Sequence, residues 1–358
     1  MVVGYMSRAF LYIFKHYIKS FFIVLFGMVF IISLIDFLQH LGSISGFNRA
    51  LLYFYYTFNN TLTLLYPIAM VFAAIMTLSS FLYKNYLLVL ASFGYSRYFI
   101  IRPFLVASIL IYMVVVGLNF TAFAYSGDKA EAILSNDTNV YNVDNIFFKY
   151  NNSFVSAKEM DVVHKELKDV NLYYVDNRKV KYIMTFKKAK FRNGEWIAKN
   201  IVKKSFKYKD DVPLGYDEKN ISSTKILKGY YPKVVRLLYE GKRMSIIDGL
   251  KAQRLLKSQD IDNTKIASAL LEKLIMPLFA PLLIVIIILF TPIHKRFMSR
   301  AKYFMFTLGS TLIIWSLLYS LNMMSVNGMI PIYFGQPLII ILLFILTFYL
   351  LITRRNKI

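Results

Sequence analysis

Residues 103–125 read PFLVASILIYMVVVGLNFTAFAY, and residues 146–157 read IFFKYNNSFVSA. The first stretch is apolar and free of charge for longer than the roughly 20 residues that span a bilayer as a helix. The second alternates apolar and polar residues on both sides of Asn151-Asn152-Ser153, which is the pattern of a β-hairpin. Between them a membrane helix gives way to a folded polar domain. A second change restores the first pattern at residues 274–292, LIMPLFAPLLIVIIILFTP.

Working outward, six apolar runs are long enough to span: Ser20–Leu38, Thr61–Tyr83, Pro103–Tyr125, Leu274–Pro292, Tyr303–Val326 and Met329–Ile352. Three precede the polar block and three follow it. The 358 residues are 57% apolar, too greasy for an ordinary soluble domain of this length. The fold class expected is an α+β membrane protein of six transmembrane helices, 3+3, with an inserted antiparallel β domain. The expected domains are residues 1–125 (helices 1–3), 126–244 (the β domain), 245–268 (a helical connector) and 269–358 (helices 4–6). No cleavable leader is expected, because Ser20–Leu38 exceeds a signal-peptide core and no small-x-small site follows it.

The net charge is +23, and its distribution sets an orientation. One set of flanks carries Arg8, Lys15, Lys19, Lys84, Arg97, Arg102, Lys295, Arg296, Arg300, Lys302, Arg354, Arg355 and Lys357; the short loops opposite carry only Arg49. The positive-inside rule then puts both termini and residues 84–97 in the cytoplasm and the β domain outside. Residues 1–19 mix apolar and basic side chains, as an interfacial lead-in or a solvated collar does.

Inside the block, Val170–Val175, Lys179–Phe191 and Trp196–Tyr208 read as strands, separated by turns at Asp176-Asn177-Arg178 and Arg192-Asn193-Gly194-Glu195. Phe147, Tyr174, Ile183, Phe186 and Trp196 are expected inside. A basic exterior over such an interior suits an anionic amphiphile, and equally a plain core under a solvated lysine face. Residues 245–269 read as a helix, with Ser245 as its cap.

Catalytic chemistry is not visible. There is no cysteine, so thiol catalysis, disulfides and thiolate metal sites are excluded. His16, His40, His164 and His294 have no metal-ligand spacing, and no phosphate-binding G-x-x-x-x-G-K-[ST] loop occurs. Asp36 and Glu272-Lys273 fall near helix ends, where snorkelling is easy; a deeper relay for ion coupling is not seen.

The loop Lys84–Arg97 places Leu87, Leu90 and Phe93 at helical spacing, with Gly94 able to end the helix. Such a helix either packs on its own bundle or docks into a partner.

In its plan and in several local patterns the chain resembles the lipopolysaccharide-export permease family of LptF/LptG type. The resemblance rests on Leu87–Arg97 ending Gly94-Tyr95-Ser96-Arg97, on Asn152–Val155 with Val170–Tyr174, on Lys273–Leu278 and on Gly328–Ile332. The first and last of these look more like the LptG branch. The resemblance implies a β-jellyroll for the inserted domain and an inner-membrane subunit of an ABC transporter serving outer-membrane biogenesis in a Gram-negative cell. It implies that this chain binds no cofactor and is not an enzyme. ATP and Mg are then used by a cytoplasmic ATPase dimer. Further implied partners are a sister permease, a periplasmic jellyroll bridge protein and lipopolysaccharide. Lys84, Tyr86, Leu87, Leu90, Phe93, Gly94, Tyr95 and Arg97 would couple to the ATPase. Phe30, Leu34 and Phe37 of helix 1 and Trp315, Leu318, Tyr319 and Asn322 of helix 5 would line the lipid path, which continues to Tyr174, Ile183, Phe186 and Trp196. Where the family's coupling helix often begins Ser-Glu, this chain has Asn85-Tyr86. The family's helix 1 lysines have no counterpart in Ser33–His40, so a phosphate-binding role is not carried over. The reading of a different class is a non-transporting scaffold whose outer domain binds an envelope partner.

Overall fold

The computed structural model describes residues 2–135, 143–162, 164–176, 179–209, 212–232, 235, 244–258, 261 and 263–353. The middle of the Asp176-Asn177-Arg178 turn and the basic residues Arg354, Arg355 and Lys357 lie outside them. Two compact units result: Met1–Ala130 with Ser268–Ile358, and Glu131–Ala267.

The first unit is helical. Its elements are α1 (Val2–His40), α2 (Phe47–Tyr83), α3 (Tyr86–Ser92), α4 (Arg97–Asn119), α5 (Ser126–Leu134, running into the second unit), α7 (Thr264–Leu274), α8 (Phe279–Phe290), α9 (Arg300–Val326) and α10 (Gln336–Thr353). A connector helix α6 (Ile246–Ser258) belongs to the second unit. Six spans are long and apolar enough to cross a membrane: α1, α2, α4, α7 with α8, α9 and α10.

Several boundaries differ from the sequence reading. Residues 2–19 are not a separate lead-in but the start of α1, and Ile13 and Tyr17 are buried in the bundle. The fourth span is two helices. Pro277 lies in a 3-10 turn, Met276–Leu278, between α7 and α8. A proline lacks the N–H a continuous helix needs and clashes with the preceding turn, so the axis breaks there. The expected helix over 245–269 also divides, α6 ending at Ser258 and α7 starting at Thr264. Ser258 and Asn263 favour local backbone contacts over helix continuation; the Ser258 hydroxyl donates to the Leu255 carbonyl at 2.7 Å. Ser245 caps α6, accepting from the Asp248 N–H at 3.1 Å.

The core of the helical unit is α2, α4 and α8. Of the most apolar stretch of each span, 72% is buried in α2 but only 11% in α9. Side chains that face outward in α1, α9 and α10 are nonetheless apolar, as in Ile31, Ile313 and Phe344. Lipid or a second membrane protein satisfies such faces. Glu272 and Lys273 do not snorkel. Both turn inward and hydrogen-bond to asparagines of neighbouring helices.

The second unit is an antiparallel sheet in which β1 (Val143–Tyr150), β2 (Ser153–Asp161), β3 (Glu166–Asp176), β4 (Lys179–Arg192), β5 (Glu195–Lys209) and β6 (Val212–Ile226) pair in sequence order. The architecture is therefore the expected α+β membrane protein with an inserted antiparallel β domain. Among the described strands there is no crossover. The β4–β5 turn has Asn193 at φ 49° and Gly194 at φ 84°, the paired left-handed residues of a tight two-residue hairpin.

The strands do not alternate strictly. Each of the first five buries two residues three apart: Val143/Ile146, Ala157/Met160, Leu167/Val170, Phe186/Ala189 and Ala198/Ile201. Across β1–β4 they align in two rows, Ile146–Ala157–Val170–Phe186 and Val143–Met160–Leu167–Ala189. Between the rows sit left-handed residues in alternate strands: Asn145 (φ 52°), Asp169 (φ 48°) and Asn200 (φ 53°). Asn and Asp tolerate this conformation better than other side chains. In β1, β3 and β5 the left-handed residue reverses the alternation, and the registered partners in β2 and β4 keep both rows facing the same interior.

Candidate functional site

The loop after α2 is shaped by two left-handed residues. Lys84 ends α2, Asn85 (φ 60°) turns the chain, and α3 follows. At the other end Gly94 (φ 75°) donates to the Ala91 carbonyl at 2.9 Å and Tyr95 to that of Leu90 at 3.1 Å. These two bonds are the Schellman closure, which requires a residue free to adopt positive φ. The Gly94-Tyr95-Ser96-Arg97 run thus stops α3 and starts α4.

The faces of α3 differ from the expected grouping. Leu87 is 5% exposed and Leu90 packs partly against the helical core, whereas Phe93 is 76% exposed. Residues three apart step about 60° around a helix, so Leu87 and Phe93 lie about 120° apart and fall on different sides. The outward apolar face is Tyr86, Val89 and Phe93, at i, i+3 and i+7. Leu87 and Leu90 are therefore anchoring residues, and Val89 is the member sequence reasoning missed. Tyr86 also meets α1 and α2. Its ring lies edge-on to Tyr12 at 6.0 Å and to Phe81 at 5.7 Å, and the His16 ring lies tilted against Tyr12 at 4.2 Å.

Arg97 lies beneath this helix. Its guanidinium donates to the Leu289 carbonyl and, at 3.4 Å, to that of Ile288. These carbonyls lie in the last turn of α8, the end that carries the negative pole of the helix dipole. Arg97 thus joins the α3 loop to the fourth span. A small cleft between them is lined by Leu87, Ala91, Tyr95, Arg97, Ile288 and Thr291.

On α1, the rings of Phe30 and Phe37 both lie edge-on to Phe54 of α2, at 6.1 and 5.6 Å, with Leu34 half-buried between them. On α9 the residues expected to line the lipid path divide between two environments. Leu318 and Asn322 are buried in the chain's own bundle, Trp315 packs against its core, and only Tyr319, stacked on Trp315 at 5.9 Å, is exposed. Their shared helical spacing marks the inward arc. The free arc is opposite and carries Ile313, Leu317 and Met324. Spacing alone gives an arc, not the side it faces.

In the β unit Phe186 and Trp196 are buried, the latter donating its indole N–H to the Tyr230 carbonyl at 2.6 Å. Ile183 is not inside: it lies an odd number of residues from Phe186 with no reversal between, hence on the opposite face from Tyr182, Met184 and Phe186. Phe147 is also outward, 60% exposed and stacked on Phe154. Tyr174 is half-buried and stacks on Tyr182 at 4.8 Å. Beyond Phe186 the inner face opens. Tyr182, Met184 and Ile221 there pack at the edge of the core while remaining half-exposed. Lys203, paired with Met184, holds its ammonium 4.1 Å from the Tyr182 ring. Sequence reasoning missed Tyr182, Met184 and Lys203, although they fall two and four residues before Phe186 or directly across the sheet.

A split bundle of six apolar spans, a Schellman-closed loop helix and an inserted sheet with one open greasy face stand together with one comparison. Residues 11–353 match the family model of the lipopolysaccharide export system permease LptF/LptG. The chain belongs to the LptF/LptG family. No individual curated protein gives a significant match. The family match joins both branches and does not separate LptG from LptF. As an LptF/LptG member the chain is a transport component of the lipopolysaccharide export system and a multi-pass protein of the inner membrane.

Proposed function

We propose that this LptF/LptG chain is one of two permease subunits in an ATP-driven complex that lifts lipopolysaccharide out of the inner membrane. Its termini and residues 84–97 are cytoplasmic, and the β unit is periplasmic. A cytoplasmic ATPase dimer, which uses the ATP and Mg, docks on Tyr86, Val89 and Phe93, while Leu87, Leu90 and Arg97 fix the docking helix to the spans. The sister permease meets the apolar faces of α1 and α9. Acyl chains leave that region for the inner face of the sheet at Tyr174, Tyr182 and Met184, and then for a periplasmic bridge protein.

The observation that carries this reading is the open end of the sheet's interior. Exposing acyl chain to water costs about 0.8 kcal/mol per CH₂, so a lipid with several chains needs a continuous apolar surface. Tyr174, Tyr182, Met184 and Ile221 offer half-buried apolar surface on the sheet for part of such a path, and Lys203 beside them a cation for an anionic headgroup.

The test places a photo-crosslinker at Met184 and another at Leu317 in the assembled complex. Both capture lipopolysaccharide, and the Met184 adduct requires ATP. Capture at Met184 without nucleotide overturns powered transfer, and no adduct at either position removes this path. Cysteines introduced at Ser96 and Asn193 label from opposite sides of the membrane; labelling from one side overturns the topology.

A further inference from the structure

Away from the α3 loop, the helical unit holds a half-buried acid and base that the proposed function leaves unused. Glu272 and Lys273 are consecutive on α7, so their side chains leave the helix about 100° apart and reach different neighbours. The Glu272 carboxylate accepts from the Asn322 amide of α9 at 2.7 Å. One turn earlier, Ser268 and Ser325 of the same two helices meet hydroxyl to hydroxyl at 3.2 Å. Lys273 turns the other way and donates to the Asn119 side chain at the end of α4 at 3.3 Å. Asn119 closes α4, the last span before the chain leaves for the β unit.

Charged groups inside an apolar bundle are costly unless paired and hydrogen-bonded, and removing one partner leaves the other uncompensated. A purely structural core here would be served by leucines. What these residues join is specific. α9 is the span with the smallest buried share, and Asn322 and Ser325 attach it to α7 at this end. The helical unit ends at Ala130 and resumes at Ser268. Ala130 and Ser268 therefore mark the two points where the chain crosses to the β unit and back, and Glu272 and Lys273 lie one turn beyond the return.

We propose that Glu272 and Lys273 are positioning residues of the transport cycle, a two-sided junction on α7 that ties α9 to the end of α4 and to the segment by which the chain returns from the β unit, so that displacement of α9 is passed to that segment. This deepens the permease reading and rests on it.

The chain has no cysteine, so Ser268→Cys with Ser325→Cys introduces a single pair across the 3.2 Å hydroxyl contact. In the reconstituted complex, oxidation of that pair lowers ATP-dependent capture of lipopolysaccharide at Met184 by about tenfold or more, equivalent to about 1.4 kcal/mol. ATP hydrolysis by the bound ATPase continues, and reduction restores capture. Full cross-linking with unchanged capture overturns the junction. In parallel, Glu272→Leu and Lys273→Leu each lower capture, and the double variant is no worse than either alone, because groups acting as one unit are non-additive. Independent, additive losses overturn it. Thermal unfolding of the same three variants in detergent shows the same non-additivity and needs no transport assay. If the parent chain gives no ATP-dependent capture at Met184, the permease reading fails, and the unfolding cycle still decides whether the junction exists.

Discussion

Tyr86 meets Tyr12 edge-on, with ring centroids 6.0 Å apart and planes at 90°. The contact joins the first residue of α3 to α1, the span that opens the chain, and Phe81 of α2 completes it. Aromatic pairs of this geometry are worth about 0.5–1.5 kcal/mol each beyond their buried area. Tyr86→Ala therefore loosens α3 by about 1–3 kcal/mol, seen as faster amide hydrogen exchange across residues 86–95. Tyr86→Phe keeps both ring contacts and exchanges at the parent rate. Equal exchange in Ala and Phe variants shows that the rings do not hold the loop.

The two sides of α3 respond oppositely to substitution. Leu87→Ala removes a buried side chain and lowers stability by about 2–5 kcal/mol. Phe93→Ala, at an exposed site, changes stability by about 0.5 kcal/mol or less. Phe93→Asp leaves the chain in the membrane but releases the ATPase on co-purification. Retention of a full complement of ATPase by Phe93→Asp places the docking surface elsewhere.

The Trp196 indole N–H and the Tyr230 carbonyl form a buried pair at 2.6 Å. Trp196→Phe keeps much of the apolar volume and leaves that carbonyl without its donor, which costs about 1–3 kcal/mol. The unfolding transition of the β unit reports it; an unchanged midpoint shows that another donor replaces the indole.

Acid stability follows from the ion pairs of the sheet. The Lys190 ammonium at Glu166 holds that carboxyl below its ordinary value of 4.5, and Lys225 does the same at Glu195. A carboxyl depressed in the folded state contributes stability that is present above its unfolded value and is lost as pH falls through its folded value. Stability of the β unit therefore declines as pH drops below about 4.5. The lysine of each pair is solvent-exposed, so the decline is shallow and is weakened by salt. Lys190→Gln reduces it, and an unchanged pH profile in that variant shows that the Glu166 pair contributes nothing.

Much of the architecture is legible along the chain because it follows from local chemistry. Apolar runs without charge locate the spans, since an uncompensated charge in hydrocarbon is costly wherever the helix packs. Asn151-Asn152 and Asn193-Gly194 locate hairpins, since only a few residues tolerate left-handed turns. Gly94 ends α3 for the same reason. Order along the chain then fixes three spans, a sheet and three spans. Sidedness is another matter. Leu318 and Asn322 have the right spacing for a face, but the neighbouring α7 decides that this face points inward, through the Glu272–Asn322 bond. Leu87 and Phe93 are both large and apolar; packing against the helical core buries one and leaves the other out. Asn145, Asp169 and Asn200 reverse the strand alternation, a signal that becomes legible only when the three align across the sheet. The sequence by itself determined which segments are helices, strands and turns, because those depend on residues within one or two turns of each other. Only the tertiary structure decided which side of each element faces its own chain, because that depends on side chains brought close from far along the sequence.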